Sequence, residues 1–290
     1  MNKTINTQPI AILMATYNGE EYLQEQLDSL YKQTCHRFTL YVHDDGSRDQ
    51  TLAILKHNAD CHENMVVLEY PGGNGAKDNF LGMMQRVESH YYMFCDQDDV
   101  WLQEKVEIST NTLKEVEKKL AEDGLTEVPS MVFSDLKVVD SSLNEISPSF
   151  WEFTGIRPDC IRNFNELAAG FLATGCTMMF NRAARDATLQ HEAHAASMHD
   201  AWVTACTMKH KGIVRAITEP LILYRQHGNN TFGAQDHNKK SIMSRFTHMQ
   251  EVWNKNKTQY EMFQSLGYGT VMKYIYEKIK FNGRIHKRNF

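Results

Sequence analysis

A chain of 290 residues, 42% hydrophobic and 23% charged, is long enough to bury a sizeable core, as one large α/β domain or as a domain with an appendage. Its formal net charge of -5 argues against general nucleic-acid binding, so a small anionic ligand has to be met by local cations or a metal. Six cysteines without a C-x-x-C pair, a polar stretch from Met1 to Pro9 and no run of about 20 apolar residues point to reduced thiols in a cytoplasmic protein, with any membrane role peripheral.

The first hundred residues alternate between short β-rich runs and amphipathic helical patterns, as a parallel sheet built from βα units does. IAILMA (10–15) reads as a buried strand, and the helix that follows places Leu23, Leu27, Leu30 and Tyr31 on one face. FTLYVH (38–43) is the next strand and DQTLAILKHN the next helix. NMVVLEY is a third strand, KDNFLGMMQRVES a third helix with Phe80, Met84 and Val87 inward, and YYMFC a fourth strand. A charged helix near 104–122 leads to MVFSDLKVVD, which alternates like a strand. ELAAGFLATGCTMMF is mostly apolar, and HDAWVTACTMKHKG is helical up to Gly212. IVRAITEPLILYRQHGNN reads as a strand pair running into a polar loop, and from about 239 the pattern is helical. The boundaries expected are a 1–238 domain, with a nucleotide-binding half over 8–103 and an acceptor-binding half over 104–238, and a helical extension over 239–290.

Each of the first four strands ends in a polar cluster, and ligands of open parallel sheets bind outside those carboxyl ends. The sharpest cluster is FCDQDDVW (94–101). Asp96, Asp98 and Asp99 repel one another and each resists desolvation, so a divalent cation is the expected neighbour. Asp96 and Asp98 alternate in an extended turn and can address one ion; hard oxygen ligands favour Mg2+ or Mn2+. A solvated acidic turn is the competing reading. In HDDGSRD (43–49), Asp49 reads as a helix cap, whereas Asp45 at a strand end suits a nucleobase or ribose hydroxyl. In TYNGEEYL, Asn18 and Gly19 suit a turn, Tyr17 can present its ring to a base, and Glu20 or Glu21 can cap the helix. Taken alone, Asp200 is a helix cap and His227 a loop histidine.

Together, ATYNGEEYLQEQLDSL, HDDGSRDQT, GGNGAKDNF, CDQDDVW, TGCTMMF, HDAW and YRQHGNN resemble the family-2 glycosyltransferases over about residues 8 to 235. The combination of CDQDDVW, HDAW and YRQHGNN is most similar to the bacterial rhamnosyltransferase-type branch of surface polysaccharide synthesis. The resemblance implies the GT-A fold, an α/β architecture with a mostly parallel Rossmann-like sheet flanked by helices. It also implies inverting transfer of a sugar from a nucleotide-diphosphate donor, dTDP-rhamnose or otherwise a UDP-hexose, to a glycan or lipid-linked glycan hydroxyl. Carried over by position, Thr16, Tyr17, Asn18 and Glu20 line the nucleotide pocket, Asp45 contacts the base, and Lys77 and Asn79 flank nucleotide and ribose. Asp96 with Gln97 serves the ribose side, while Asp99 and Trp101 shape the sugar side. Gly175 and Cys176 lie where relatives meet the acceptor, Trp202 being core or acceptor wall, and His199 either orients Asp200 or touches the acceptor. Asp98 and His227 hold the metal, Arg225 adds donors for the diphosphate, and Asp200 is the base. His199 departs from the acidic residue many relatives carry before that base. GNNTFGAQDHN suits a lid over the nucleotide. The rivals are a sugar nucleotidyltransferase, which would normally carry a glycine- and basic-rich triphosphate loop where TYNGEEYL is acidic, and a non-catalytic nucleotide-sugar binding subunit.

From Lys273 to Arg288 the chain holds Lys273, Lys278, Lys280, Arg284, Lys287 and Arg288 against Glu277 alone, interleaved with Tyr274, Ile275, Tyr276, Ile279 and Phe281. Such a segment seats a helix on the inner, anionic face of the cell membrane, or forms a solvated face or a homodimer contact.

Overall fold

The computed structural model describes residues 9–71, 75–170, 172–227 and 249–287. The expected lid, GNNTFGAQDHN, lies outside them. Among the described residues nine strands form one sheet: β1 (Ile10–Thr16), β2 (Phe38–Asp44), β3 (Met65–Val67), β4 (Tyr91–Cys95), β5 (Val100–Trp101), β6 (Ser130–Val139), β7 (Glu145–Ser147), β8 (Met178–Asn181) and β9 (Ile213–Arg225). Their order is β3-β2-β1-β4-β8-β6-β9-β5, with β7 added beside β6. The first four strands run parallel, as their alternation with helices predicts; β8 then enters antiparallel between β4 and β6, and β9 returns parallel to β6.

Strand period two divides the core. Ala11, Leu13, Tyr92 and Phe94 face one cluster, whereas Ile10, Ile12, Met14, Met93 and Cys95 face the other. The second cluster is closed by Leu23, Leu27 and Leu30 of α1 (Leu23–Tyr31), by Leu55 of α2 (Thr51–Cys61) and by Val106 and Leu113 of α4 (Lys105–Glu122). Each α1 leucine is fully buried, worth about 2 kcal/mol of transfer free energy. The first cluster is closed by Phe80, Met83 and Met84 of α3 (Ala76–Arg86) and Trp202 and Val203 of the helix His199–Lys209.

Short helices α5 (Phe150–Thr154) and α6 (Phe164–Leu167) precede β8, α7 (Arg182–Leu189) follows it, and His199–Lys209 is α8. The last two helices, α9 (Met249–Ser265) and α10 (Val271–Lys287), put Met262, Phe263, Tyr274 and Phe281 into the first cluster.

Two expectations change. Residues 213–225 are one strand rather than a strand pair: Pro220 lacks an N–H, and the register slips there, from Ser134 opposite Ile217 to Asp135 opposite Pro220, so that the excess chain is taken up by a bulge. The third strand spans Met65–Val67 alone, shorter than NMVVLEY.

Candidate functional site

The loops after β1, β2 and β4 and the start of α3 are stitched into one surface by their own side chains. Asn18 adopts a left-handed φ of 46°, which Asn tolerates better than most residues; its N–H donates to Ser47 Oγ at 2.8 Å and its Oδ1 accepts from Arg48 N at 2.9 Å. Glu20 accepts from Gln50 N at 2.8 Å, and Asp49 accepts from Glu20 N and Thr51 N, the capping behaviour expected of it. Gln97 brackets Tyr17, accepting from its N–H at 2.9 Å and donating to its carbonyl at 3.0 Å. Gly19 fits beneath because a Cβ there would lie 2.4 Å from Gln97 Oε1. Thr16 is buried and donates to Asp44 Oδ1 at 2.9 Å, while Asp45 accepts from Gly75 N at 2.9 Å. Tyr17, 54% exposed, is left with an open ring face above this frame.

Beside it lies the acidic turn. Asp98 Oδ2 and His227 Nε2 are 2.8 Å apart, bringing together residues 129 positions distant, and His227 packs on Tyr22 at 4.9 Å between ring centroids. Asp96 is pushed up to about 7, mainly by burial and further by the charges of Asp98 and Asp200. Asp99 is fully buried and its acidity weakened well beyond the ordinary carboxylate range by burial, with Asp98 and Asp96 adding to it. Underneath, the buried ammonium of Lys105 sits 4.2 Å over the Trp101 ring; burial lowers it to about 8 against the opposing pull of Cys176, Cys95 and Asp99.

Two groupings have the donors for a cation. Asp96, Asp99 and Cys176 bring one ligand atom each within 4.8 Å of one another, but burial and the two carboxylates hold the Cys176 thiol protonated, which suits a hard ion poorly. Asp98 and His227 keep 19% and 12% side-chain exposure and so can meet both an ion and a phosphate oxygen. That pair fits Mg2+ or Mn2+ better, and a cation there would relieve the repulsion that raises Asp96 and Asp99.

Asp200 stands in the first turn of α8. Its Oδ2 accepts from Gly175 N at 3.1 Å and its Oδ1 from Ala201 N at 2.6 Å. Burial pushes its carboxyl up to about 6, the two N–H groups holding back a larger rise. Gly175, which it holds, precedes Cys176 of the cluster with Asp96 and Asp99, so the base candidate lies close to the acidic turn, and its charge adds to the rise at Asp96.

Several expected contacts become supports instead. Asn79 is buried with its Oδ1 2.6 Å from His43 Nδ1, so it braces β2 rather than lining a ribose pocket. Arg225, 2% exposed, aims inward: Nε donates to Asp98 O at 2.9 Å, Nη1 to Ser141 O at 2.7 Å, and Nη2 pairs with Glu25. It therefore fixes the acidic turn instead of reaching toward a diphosphate. Trp101 and Cys176 are core residues, and Asp99 lies under the surface with an Oδ2 that has no hydrogen-bond partner among the described residues. Trp202, left between core and acceptor wall, is core at 1% exposure. His199 is wedged against Phe80 and Phe94, with ring centroids 4.1 and 4.8 Å away, and burial lowers it to about 3. It packs against Gly175, where an added Cβ would lie 2.6 Å from its Nε2, and neither ring nitrogen orients Asp200 by a hydrogen bond. Lys77 borders a cavity of about 540 Å³ along α3 with Tyr70, Asp78 and Arg86.

Sequence reasoning passed over Glu25, Ser141 and Lys105, and gave Asp44 no role of its own. Asp44 could have been found, since a carboxylate at a strand end before Gly-Ser is a ready acceptor for turn N–H groups, and it takes those of Gly46 and Ser47 at 3.0 and 2.8 Å. Lys105 opens a charged helix and carries no local sign of burial.

Over 76% of this chain and 74% of its own length, the dTDP-rhamnosyl transferase RfbG of Shigella flexneri is 26% identical. A UDP-Glc:alpha-D-GlcNAc-diphosphoundecaprenol beta-1,3-glucosyltransferase of Escherichia coli, WfgD, is 29% identical over 36% of this chain and 40% of its own. Among solved structures, the mannosyltransferase PcManGT of Pyrobaculum calidifontis, in complex with GDP-Man and Mn2+, superposes with a TM-score of 0.57 at 15% identity, over 98% of this chain and 74% of that one. S. aureus TarS gives a TM-score of 0.54 at 19% identity; the match takes in 75% of this chain but only 36% of TarS. These two likenesses show the shared GT-A fold. With the model of glycosyl transferase family 2 matching residues 11–186, more than half of its length, the chain belongs to that family.

Proposed function

We propose that the protein is a metal-dependent inverting glycosyltransferase of cell-surface polysaccharide synthesis. It would take a sugar from a nucleotide diphosphate, dTDP-rhamnose in preference to a UDP-hexose, and place it on a hydroxyl of a glycan or lipid-linked glycan. The observation that carries the reading is Asp200: a carboxylate buried beside the acidic turn, held by two backbone N–H groups, with an acidity near pH 6 that leaves it ionised yet basic at neutral pH. Asp200 accepts the proton of the acceptor hydroxyl as that oxygen bonds to the anomeric carbon; the bond from that carbon to the phosphate oxygen breaks, and the nucleotide diphosphate departs with the electron pair. Asp98 and His227 would hold a Mg2+ or Mn2+ ion, which when bound supplies neutralisation of the departing diphosphate. Tyr17 offers its exposed face to the base, with Asp45 and Lys77 flanking the nucleotide. Thr16, Asn18, Glu20, Gln97, Asn79 and Arg225 hold that surface in place.

The rhamnosyl preference is supported by the similarity to RfbG across most of both chains. The test incubates the full chain with a panel of nucleotide sugars and Mn2+ or Mg2+, following nucleotide release and protection against thermal unfolding. Release from one donor, absent in Asp200→Asn while that variant still gains protection, upholds the reading. Pyrophosphate release from a nucleoside triphosphate, or protection without turnover of any donor on any glycan, overturns it.

A further inference from the structure

The inner side of α10 is firmly seated. Tyr274 and Phe281 are buried in the main core, Lys273 Nζ donates to Asn165 Oδ1 at 2.7 Å, and Gln259 Nε2 of α9 donates to Gly170 O at 2.9 Å. The outer side should therefore be polar, as on an ordinary surface helix. Instead Met272, Ile275, Tyr276 and Ile279 are 71%, 47%, 63% and 68% exposed, at spacings i, i+3, i+4 and i+7 that align them in one stripe. Exposed Lys273 and Lys280 lie along one side of the stripe, Lys273 bonded to Asn165 and the Tyr268 carbonyl and Lys280 3.5 Å from Glu277, and the last turns of the helix carry Arg284 and Lys287. Glu277 is the only acidic residue of α10, in a chain whose formal charge is -5. No helix among the described residues is long and apolar enough to cross a membrane.

We infer that the outer face of α10 is a docking surface for an anionic lipid bilayer, the apolar stripe entering the headgroup boundary while the net positive charge of the helix draws it to lipid phosphates. Charge selects this occupant: the helix is basic although the chain as a whole is acidic, so an anionic surface attracts this face and repels the rest. A second copy docked on the same face would bring cations of like sign together. The helix is already folded and packed, so docking does not have to order it. Its inner contacts are to residues 158–170, just ahead of Gly175 and Asp200, which places the docked face on the acceptor half of the domain. Access to a lipid-linked acceptor rests on the transferase reading; bilayer binding does not.

The test sediments the full chain with vesicles of phosphatidylcholine alone or with phosphatidylglycerol as about a third of the lipid. Expected is binding to the anionic vesicles only, reduced severalfold by about 0.5 M salt. Ile279→Asp should weaken it at least about tenfold, and Lys273→Gln with Lys280→Gln roughly tenfold or more. These side chains are exposed, and unchanged circular dichroism and light scattering would show that the variants keep the fold. Absence of vesicle binding, equal binding to neutral vesicles, or indifference to all the substitutions would overturn the inference. So would a concentration-dependent dimer, lost in Ile279→Asp, without lipid binding. Nucleotide release with a soluble acceptor, measured on the same variants, reports on the transferase reading alone.

Discussion

Replacing Asp200 by Asn should remove most of the turnover and leave the protein no less stable at pH 8. The rise of its carboxyl from the ordinary 3.8 to about 6 corresponds to about 3 kcal/mol, the free energy by which burial disfavours the ionised form in the folded chain. The folded state binds this proton more tightly than the unfolded chain does. The penalty is therefore fully present above about pH 7, roughly half relieved by pH 5 and absent below the unfolded value. Asn is uncharged and removes it. An amide, however, has one acceptor oxygen for two donors, Gly175 N and Ala201 N, and leaving one N–H unmatched costs about 1–3 kcal/mol. The balance at pH 8 lies between neutrality and about 2 kcal/mol of stabilisation. Loss of the base should lower turnover by about 100- to 10,000-fold. Chemical unfolding of both proteins in chelator at pH 5 and pH 8, and separate single-turnover transfer assays with Mn2+ present, measure the two quantities. A variant destabilised equally at both pH values, or one that keeps its turnover, would show that Asp200 is a helix cap and nothing more. The wild-type rate should fall as pH drops through about 6, where Asp200 takes up its proton, and that acid limb should vanish in the residual activity of the variant.

Arg225→Ala leaves two carbonyls without their donor and frees the half-exposed Glu25, and should lower stability by about 2–3 kcal/mol in denaturant titration, with Arg225→Lys intermediate. Gly19→Ala drives a methyl into Gln97, which cannot retreat without releasing Tyr17; calorimetric titration with nucleotide should show severalfold weaker binding, and stability should fall by about 1–2 kcal/mol. Chelator should abolish turnover and excess Mn2+ restore it, whereas in Asp98→Ala added Mn2+ should restore neither turnover nor metal-dependent thermal protection.

The parallel half of the sheet was legible because its signals are local. Ile10, Ile12 and Met14 alternate with Ala11 and Leu13, and each strand ends in a turn that opens a helix. Asp49 could be read as a cap for the same reason. What was not legible depends on distant partners. Trp101, Asn79 and His199 have the residue types of a ligand pocket, but whether such a side chain points at solvent or at Lys105, His43 or Phe80 is decided by elements far along the chain. Arg225 shows this most sharply: the family pattern marks its position, yet its inward aim is set by Glu25 and Ser141, neither of which looked unusual. The β9 bulge was hidden because Pro220 reads locally as a break.

Arg225 also bears on when the site comes into being. It closes the last strand, and its bonds reach back 127 positions to Asp98 and 200 to Glu25. A polypeptide emerging from the ribosome can form β1 to β4 early, since none of those pairings reaches as far along the chain, but the acidic turn, already tied to Tyr17 through Gln97, gains the bonds from Arg225 to Asp98 and Asp99 only when residue 225 has left the exit tunnel. A nascent or prematurely terminated chain thus carries the parallel half of the sheet in outline, while the Asp98 carbonyl and the Asp99 carboxylate still lack the partner that Arg225 brings near the end of translation.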